Sequence, residues 1–437
     1  MRFIIRAAGL LLACSLAVLA QETTHTSQSI DLSTALRLAG AQNLDVEIAR
    51  AKLAEAKANH QNAVAQFFPW IAPGIAYRQH DGAIQDVAGN IIDVHKQSYA
   101  PGASINAEVH IGDAYYKSLS TKKIARAATH GLEAQRQDAV FAAAQGYFEL
   151  AQAQGAISVA RDALKTTSEY EKQIRQAVVA GLAFKGDALR VQLQSERNQS
   201  ALRQAIEKQK IAGTKLAQIL RLDPLIELSS QDGDIAPLAL IETNIALHSL
   251  VSQALTTRPE IKQSESFASA AQKAKDGAVY GPLIPTLGGQ AFFGTLDGGR
   301  RGISDTSGGQ QDYFIGASWR IGPGGLFDFT RTRTADSRLK IAQLNAAKHH
   351  DEIKRQVLDA YIHWQSVGDQ LASTKRALSA AEEGLRLAKQ RKEFAVGVVL
   401  ETIQAEQDLT RSRLDYLKTI SDFNTAQYAL RKATGKL

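Results

Sequence analysis

Residues 147–164 read YFELAQAQGAISVARDAL, and residues 361–378 read YIHWQSVGDQLASTKRAL, so the same tyrosine and leucine return 214 residues later. The same interval joins further pairs without a gap: Asp187 and Glu401, Leu189 and Ile403, and Leu216 and Leu430. Further upstream the offset drifts only slightly, and it pairs Leu44-Asp45 with Pro259-Glu260 and Pro69 with Pro285. Self-similarity at this period indicates two copies of one large unit, not a solenoid of small repeats.

Two very long helices dominate the prediction. From about 119 to 179, and again from about 333 to 394, the chain has no proline and carries apolar residues at helical spacing. At 1.5 Å per residue, about 60 residues make a helix of roughly 90 Å, which is longer than an ordinary globular core can use. Leu371, Leu378 and Leu385 follow one another at intervals of seven, as on a coiled-coil seam. The predicted helices cover about 31–65, 115–180 and 186–220 in the first repeat, and about 247–280, 330–394 and 400–433 in the second.

Between these helices the apolar period changes from 3.6 to 2. In residues 103–111 and 313–321 apolar side chains alternate with mostly polar ones, over about the ten-residue length of a membrane β-strand. A partner strand precedes each of them, so the predicted strands cover about 69–80, 99–111, 284–296 and 312–321. The polar, glycine-rich segments between the partners, residues 81–96 and 297–311, are predicted to be exposed loops.

Aromatic residues are concentrated in and around these strands, as in the interfacial girdles of an outer-membrane barrel. They are Phe67, Phe68, Trp70, Tyr77, Tyr99, Phe292, Phe293, Tyr313, Phe314, Trp319, Phe327 and Phe329. A small soluble β-sandwich is the alternative, but four strands supply too little sheet to bury both faces. A sheet edge in lipid cannot be left unpaired, so closing a barrel would require several chains.

The first twenty residues are typical of an export signal, with Arg2 and Arg6 before an apolar run and cleavage predicted after Ala20. The segment Leu11-Leu12-Ala13-Cys14 loosely resembles a lipobox, so lipid attachment at Cys14 remains an alternative. Cys14 is the only cysteine, and without it the mature chain has no disulfide and no thiolate metal site. No later run approaches the roughly 18 apolar residues of a membrane-spanning helix. An exported chain of this kind would be periplasmic, secreted or a barrel in an outer membrane.

The charge and the histidines do not indicate nucleic-acid binding or catalysis. The 51 Lys and Arg residues are interspersed with 44 Asp and Glu residues instead of forming a basic patch. The ten histidines are scattered, and no HExxH, GxSxG or P-loop motif occurs. The pair His349-His350 is interpreted as a solvated helix pair. We therefore expect no enzyme activity, no catalytic residue, no cofactor, no metal site and no nucleic-acid partner.

Each long predicted helix ends at a glycine-containing turn, followed by a returning helix. The turns are Val179-Ala180-Gly181-Leu182-Ala183 in the first repeat and Ala395-Val396-Gly397-Val398-Val399 in the second. The acids Asp187 and Glu401 follow the two turns at matched positions. An acid at a helix N-terminus is also favoured by the helix dipole, so a purely structural role for both acids remains open.

Two strand pairs, each followed by a long helix, a glycine turn and a returning helix, resemble the TolC family of outer-membrane efflux and secretion channels. The resemblance covers essentially the whole mature chain, and its most specific motif is Val396-Gly397 followed by LETIQAEQ at 400–407. The first repeat carries the counterpart Ala180-Gly181 and DALR at 187–190. The resemblance implies a mainly α fold with a small β-barrel part. It also implies a homotrimer, in which twelve strands form one outer-membrane barrel and twelve helices form a long periplasmic tunnel.

In this family the tunnel narrows at the hairpin tips, and the resemblance assigns the pore constriction to Asp187, Arg190, Glu401 and Gln404. Gln404 stands where some family members have a second acid, and Lys185 or Arg190 could pair with Glu401. The resemblance assigns contact with a periplasmic adaptor to residues of the two turns, namely Gly181, Leu182, Ala183, Gly397, Val398 and Val399.

The predicted organisation is a signal peptide at 1–20, a first repeat at 21–222, an equatorial connector at 223–245 and a second repeat at 246–437. The function implied by the resemblance is a passive exit duct in a tripartite efflux or type I secretion system. Its partners would be outer-membrane lipid, a periplasmic adaptor (membrane fusion) protein and an inner-membrane pump of RND, ABC or MFS type. Its substrates would be small molecules or polypeptides. A periplasmic coiled-coil adaptor is the alternative function, but it would not explain the alternating strands.

Overall fold

The computed structural model describes residues 27–231, 235–242, 245–300, 306–393 and 399–437. The predicted signal peptide, Cys14, Gly397 and Val398 lie outside the described residues. The chain is mainly helical with a small sheet, as predicted, and the same order of elements occurs twice. Within the described residues, no helix combines the length and the apolar character needed to cross a membrane.

The elements follow one another in two similar series. The first series is β1 (Ser27–Ile30), α1 (Leu32–Gln42), α2 (Leu44–Ala65), β2 (Trp70–Gln85), β3 (Ile91–His110), α3 (Ile111–Val179) and α4 (Lys185–Leu220). The second series is β4 (Glu227–Ser230), α5 (Leu247–Thr257), α6 (Pro259–Tyr280), β5 (Thr286–Arg300), β6 (Thr306–Ser318), α7 (Phe329–Glu393) and α8 (Val399–Ala433). The 69 residues of α3 and the 65 residues of α7 make helices of about 100 Å each.

The predicted continuous helix at 31–65 is instead two helices, α1 and α2, which meet at Asn43. The backbone of Asn43 has ψ 137°, which is not helical, and its side chain caps α2 by accepting a hydrogen bond of 2.9 Å from the Asp45 N–H. Its Nδ2 atom donates to the carbonyl oxygen of Ile219 at 3.0 Å. The break is therefore fixed both to the helix that it starts and to the end of α4.

The predicted helix at 247–280 is broken in the same way, at Arg258, with Pro259 at the first position of α6. Arg258 is buried and forms a bidentate ion pair with Glu260, with distances of 2.8 and 2.7 Å. Its Nη1 atom donates to the carbonyl oxygen of Lys432 at 3.0 Å. Arg258 thus ties its break to the end of α8, as Asn43 ties its own break to the end of α4.

The four long strands form one antiparallel sheet in the order β2-β3-β5-β6, in which β2 and β6 are the edge strands of the described residues. The strands extend beyond the predicted bounds. The β2–β3 ladder continues to the pair Gln85 and Ile91, so most of the predicted loop at 81–96 is a hairpin. Its turn is closed by hydrogen bonds between Asp86 and Asn90. In the second predicted loop, 297–300 and 306–311 also belong to strands, while residues 301–305 lie outside the described residues.

The connector between the repeats runs along the returning helices near the middle of the molecule. β4 pairs in parallel with β1, and the Gln209 side chain on α4 donates to the Leu228 carbonyl at 2.9 Å. The backbone N–H groups of Leu238 and Leu240 donate to the side chains of Asn424 and Gln427 on α8, both at 2.8 Å. Each of these two amide side chains also donates at 2.9 Å to a connector carbonyl.

Two buried clusters lie at this level, and they contain matching residues 214 or 215 positions apart. Leu216 and Leu430 are both buried, one in each cluster, and so are Ala39 and Ala254. The sheet and the long hairpins extend away from this packed middle region in opposite directions along α3 and α7.

Candidate functional site: the sheet faces and the helical tips

The strand register sorts the side chains of the sheet onto two different faces. One face, called here the apolar face, carries apolar residues from all four strands. They are Ile71, Ile75 and Tyr77 on β2; Tyr99, Ala103, Ile105, Ala107 and Val109 on β3; Leu287, Ala291 and Phe293 on β5; and Tyr313, Ile315 and Ala317 on β6. Many of these side chains are strongly exposed, for example Ile75 at 74% and Ile315 at 92%. A chain in water would leave this continuous apolar surface unsatisfied.

The apolar face forms a band of limited height. Along β3 the band runs from Val109 to Tyr99, close to the roughly 9–11 residues of a membrane-spanning strand. Beyond Tyr77 and Tyr99, whose rings lie 4.9 Å apart, the same face continues with Gln79 and Gln97, which pair across the strands. Aromatic rings followed by polar side chains are typical of the boundary between hydrocarbon and water.

The opposite face, called here the polar face, is rich in small and polar residues. It carries Gly74, Gly102, Ser104, Asn106, Gly288, Gln290, Gly294, Gln310, Asp312 and Gly316 among others. The ring of Phe292 lies over Gly102 and Gly294, where an added Cβ would come within 2.5 and 2.7 Å of the ring. The glycines and the flat ring of Phe292 therefore leave space in front of this part of the sheet.

At the other end of the molecule, the turn between α3 and α4 depends on Gly181. Its φ is +76°, a left-handed conformation that glycine adopts without steric cost. The Leu182 N–H donates to the Ala177 carbonyl at 2.8 Å and the Gly181 N–H to the Val178 carbonyl at 3.0 Å. These two bonds are those of a Schellman motif, which ends α3 and lets the chain reverse.

The residues of the predicted adaptor contact differ in their exposure. Leu182 is 83% exposed, whereas Ala183 and Val399 are half-buried and pack against a small apolar cluster. This tip cluster consists of Tyr170 and Ile174 on α3, Val191 on α4 and Ile403 on α8. It joins the N-terminal turns of α4 and α8, so the two hairpins of one chain meet at the same end.

Each acid predicted for the constriction is paired with an arginine. Asp187 lies 3.4 Å from Arg190 on the same helix, and Glu401 lies 2.8 Å from Arg391 on α7. The expectation that Lys185 or Arg190 pairs with Glu401 is therefore wrong for this chain, because Arg391 holds that carboxylate across the second hairpin. Gln404 is exposed on α8.

Burial and charge also affect Tyr170 in the tip cluster. Burial raises the pKa of Tyr170 to about 12, and the nearby carboxylates of Glu406 and Asp187 contribute in the same direction. The Tyr170 hydroxyl therefore stays neutral at every physiological pH.

Behind the tip cluster, a chain of polar side chains connects three helices. Gln407 on α8 donates to Gln194 on α4 at 2.6 Å, and Gln194 donates to Asn198 at 2.9 Å. Asn198 in turn donates to the Thr167 hydroxyl on α3 at 2.7 Å. These directional bonds fix the register of α3, α4 and α8 near the tip.

Three tip residues were not singled out from the sequence. Val179 and Phe184 flank the first turn and are 89% and 83% exposed. Apolar residues at a turn indicate a contact surface, and this was the signal in the sequence that could have identified them. Arg391 could not be identified, because its pairing depends on how α7 and α8 align across the hairpin.

An exposed apolar band on an antiparallel sheet, joined to two helices about 100 Å long, is typical of an outer-membrane channel that extends far from the membrane. Comparison with known proteins gives the same class. A sequence model of the family described as outer membrane efflux protein matches residues 250–436. The outer membrane efflux protein BepC of Brucella suis biovar 1 (strain 1330) is 24% identical over 189 residues, which are 43% of this chain and 40% of BepC. The chain thus spans about two-fifths of the length of that relative.

Solved structures resemble nearly the whole chain. A membrane protein from Pseudomonas aeruginosa superposes with a TM-score of 0.79 at 17% identity, covering 92% of this chain and 93% of that protein. The Campylobacter jejuni CmeC outer membrane channel superposes with a TM-score of 0.78 at 16% identity, covering 93% and 85%. The second repeat therefore resembles the outer membrane efflux protein family in sequence, and the described chain has the fold of these solved outer-membrane proteins. Its resemblance to that family is confirmed.

Proposed function

We propose that this protein is the outer-membrane channel of a tripartite efflux or type I secretion system and acts as a passive duct. The observation that carries the proposal is the apolar face, which fits the hydrocarbon layer in height and in its aromatic boundary. The sheet then lies in the outer membrane and the long hairpins extend into the periplasm. A periplasmic adaptor is surrounded by water, so that function would not explain an exposed apolar band. A passive duct performs no covalent chemistry.

The open sheet supports assembly of several copies. In lipid the unpaired backbone groups of the edges β2 and β6 would each cost several kcal/mol, so the edges must be paired. Joining β6 of one copy to β2 of the next satisfies both edges without changing the order of the strands. Three copies would give a barrel of twelve strands.

The helices support the same assembly. Within one chain α3 contacts α4 and α8, and α8 contacts α7, so α4 and α7 are the outer members of the group. Both present exposed apolar side chains along their length: Leu189, Leu193, Ile206 and Ile211 on α4, and Ile341, Leu344, Leu358 and Ile362 on α7. Packing α4 of one copy against the tip half of α7 of the next would bury the α4 residues against that half of α7, and it would close a tunnel of twelve long helices, whereas Ile341 and Leu344 lie beyond the reach of α4.

The experiment is to purify the protein in detergent, measure its mass and record its conductance in planar bilayers. We expect a trimer that forms conducting pores. The Leu193→Asp variant should lose trimers, because it places a charge in the contact between α4 and α7. Leu225→Asp is the control, because Leu225 is an exposed leucine in the turn after α4. A monomer that stays soluble without detergent and forms no pore would refute the proposal.

At the tip, Asp187 and Glu401, with Arg190 and Gln404 nearby, would form the constriction. The turns would bind the periplasmic adaptor, through which an inner-membrane pump of RND, ABC or MFS type supplies the energy. Leu182, which projects from the first turn, is the described residue that best fits this contact.

The Leu182→Asp variant should abolish efflux in cells while the purified pore still conducts. Val87→Asp, in the exposed turn of the β2–β3 hairpin at the opposite end, is the matched control and should leave efflux unchanged. Normal efflux by Leu182→Asp would remove this turn from the docking surface.

A further inference from the structure

Three basic side chains lie together on the polar face of the sheet, just beyond the level of Tyr77 and Tyr99. His80 on β2 stands directly opposite Lys96 on β3, and Arg78 lies two residues before His80 on the same face. Two basic side chains placed opposite each other form no favourable charge pair across the strands, so this arrangement is not explained by pairing of the strands.

The basic residues have no acidic partner in the part of the chain that the structure describes. Arg78, His80 and Lys96 form none of the ion pairs found there, and the Nε2 atom of His80 is buried without a hydrogen-bond partner. The nearby acids that the structure describes all stand on the other face. Asp81 pairs with His95 on that face, and the register places Asp93 and Asp297 there as well.

The strand alternation thus separates the two signs of charge at one height of the sheet. The described acids project on the side that continues the apolar band, where His95 pairs with Asp81, and Arg78, His80 and Lys96 project on the side with the small residues. The described acids of the polar face, Asp312 and Glu108, lie further toward the helical end of the strands. They are too distant along the strands to neutralise Arg78 or Lys96.

We propose that Arg78, His80 and Lys96 form a cationic ring in the outer mouth of the pore, which binds multivalent anions and favours anionic compounds on their way out. The proposal rests on the proposed channel, in which the polar face lines the lumen and threefold symmetry repeats each side chain three times. A ring of fixed charges inside a narrow pore concentrates counter-ions and sets selectivity. The guanidinium of Arg78 suits carboxylate, phosphate and sulfate groups, which it can bind with two parallel hydrogen bonds.

The test uses the intact trimer in planar bilayers, with tripolyphosphate as the probe. Added to the chamber that faces the strand end, tripolyphosphate should block the wild-type current, and it should block less from the chamber that faces the helical tips. The Lys96→Gln variant should weaken the block about tenfold or more, because it removes three charges from the ring. Arg78→Gln should act in the same direction.

Gln97→Glu is the matched control. It changes the charge of the chain by the same amount as Lys96→Gln, at the neighbouring residue, but on the opposite face. It should leave the block within about twofold of wild type, because its charge lies outside the lumen.

The outcomes separate the two proposals. A trimer that forms no pore would overturn the channel function and with it the ring. A pore that tripolyphosphate does not block from the strand end would overturn the ring alone. A pore whose block depends on Gln97→Glu and not on Lys96→Gln would show that the basic residues face the lipid side, which also overturns the ring.

Discussion

Among the described helix ends, three have a residue with positive φ, and two of these residues occupy equivalent places in the repeats. Gly181 ends α3 with φ +76°, Arg221 ends α4 with φ +56°, and Gly435 ends α8 with φ +72°. Arg221 and Gly435 are 214 residues apart and make the same pair of backbone bonds, from the N–H of the residue and from the next N–H. One repeat therefore uses glycine in this left-handed position and the other uses a residue with a side chain.

Replacing Gly181 by alanine should destabilise the first tip, because a left-handed conformation costs about 1–2 kcal/mol for a residue with a Cβ. The effect should appear as faster trypsin cleavage after Lys185, by about tenfold, since cleavage follows the population of the opened turn. Gly186→Ala is the control, because Gly186 lies in the first turn of α4 and an added Cβ would meet open space. It should slow cleavage or leave it unchanged, and faster cleavage in both variants would contradict the role given to φ at Gly181.

Replacing Arg221 by glycine should stabilise the protein by about 1 kcal/mol, because glycine removes the strain of the left-handed position. The measurement is the thermal unfolding of the detergent-solubilised protein, followed by circular dichroism. Gly435→Ala should lower the midpoint, because its Cβ would lie 2.8 Å from the Thr257 hydroxyl as well as in the left-handed region. A lower unfolding midpoint for Arg221→Gly would show that contacts of the Arg221 side chain stabilise the protein by more than the left-handed backbone conformation destabilises it.

Among the elements, the connector is held by side chains of α8 more than by its own secondary structure. Asn424 and Gln427 are each only 1% exposed, and together they make four hydrogen bonds to the backbone of residues 236–240. The equivalent positions on α4 are Lys210 and Gly213, so the first repeat needs a different arrangement. There β1 and β4 pair with each other instead, and Gly213 lies close to the Leu228 backbone.

The Gln427→Ala variant should destabilise the protein by about 2–3 kcal/mol, because it leaves a buried carbonyl and a buried N–H without partners. It should also expose the connector to protease. Gln404→Ala on the same helix is the control, because Gln404 is exposed, and it should change stability by less than about 0.5 kcal/mol. Equal unfolding midpoints for the two variants would mean that water replaces Gln427 at no cost.

The sequence predicts the long elements well where the information is local, and less well where it is not. Uninterrupted helical periodicity without proline was enough to predict two helices of exceptional length. The break at Asn43 depends on a hydrogen bond to Ile219, which is distant in sequence. Pro259 is a local signal for the equivalent break in the second repeat, but the predicted helix at 247–280 ran through it. The segment 81–96 contains Asp81, Asp86, Asn90 and two glycines, so its composition looks like that of a loop even though its backbone is paired as far as Gln85 and Ile91.

For the whole molecule, the charge of the tips is more balanced than the sequence suggested. Asp187 and Glu401 match across the two repeats, so the sequence predicts both acids. Arg391 has no basic counterpart in the first repeat, where Ala177 occupies the equivalent position. Arg190 and Arg391 each sit beside one of the acids. If three copies form the tunnel, each acidic ring lies next to a ring of arginines, and the local charge is close to neutral.

This balance gives a prediction for ion selectivity in planar bilayers. Glu401→Lys adds two positive charges per chain and should shift the reversal potential toward anions. Arg391→Ala leaves the Glu401 carboxylate without its arginine partner and should shift the reversal potential toward cation selectivity. Both side chains of this pair are substantially exposed, so trimer stability should change by less than about 1 kcal/mol. If both variants show the ion selectivity of the wild-type protein, the constriction lies elsewhere in the pore.

The unbroken length of α3 has a mechanical consequence. From Ile111 to Val179 it contains no proline, so about 100 Å of a single rigid rod separates the lipid from the tip. In the proposed channel, the tip can therefore meet a partner only where the gap of the cell envelope matches that reach. Adding one heptad to each of the four long helices would keep the seams in phase and lengthen the rod by about 10 Å. Such a variant would meet its partners only where the two membranes lie correspondingly further apart.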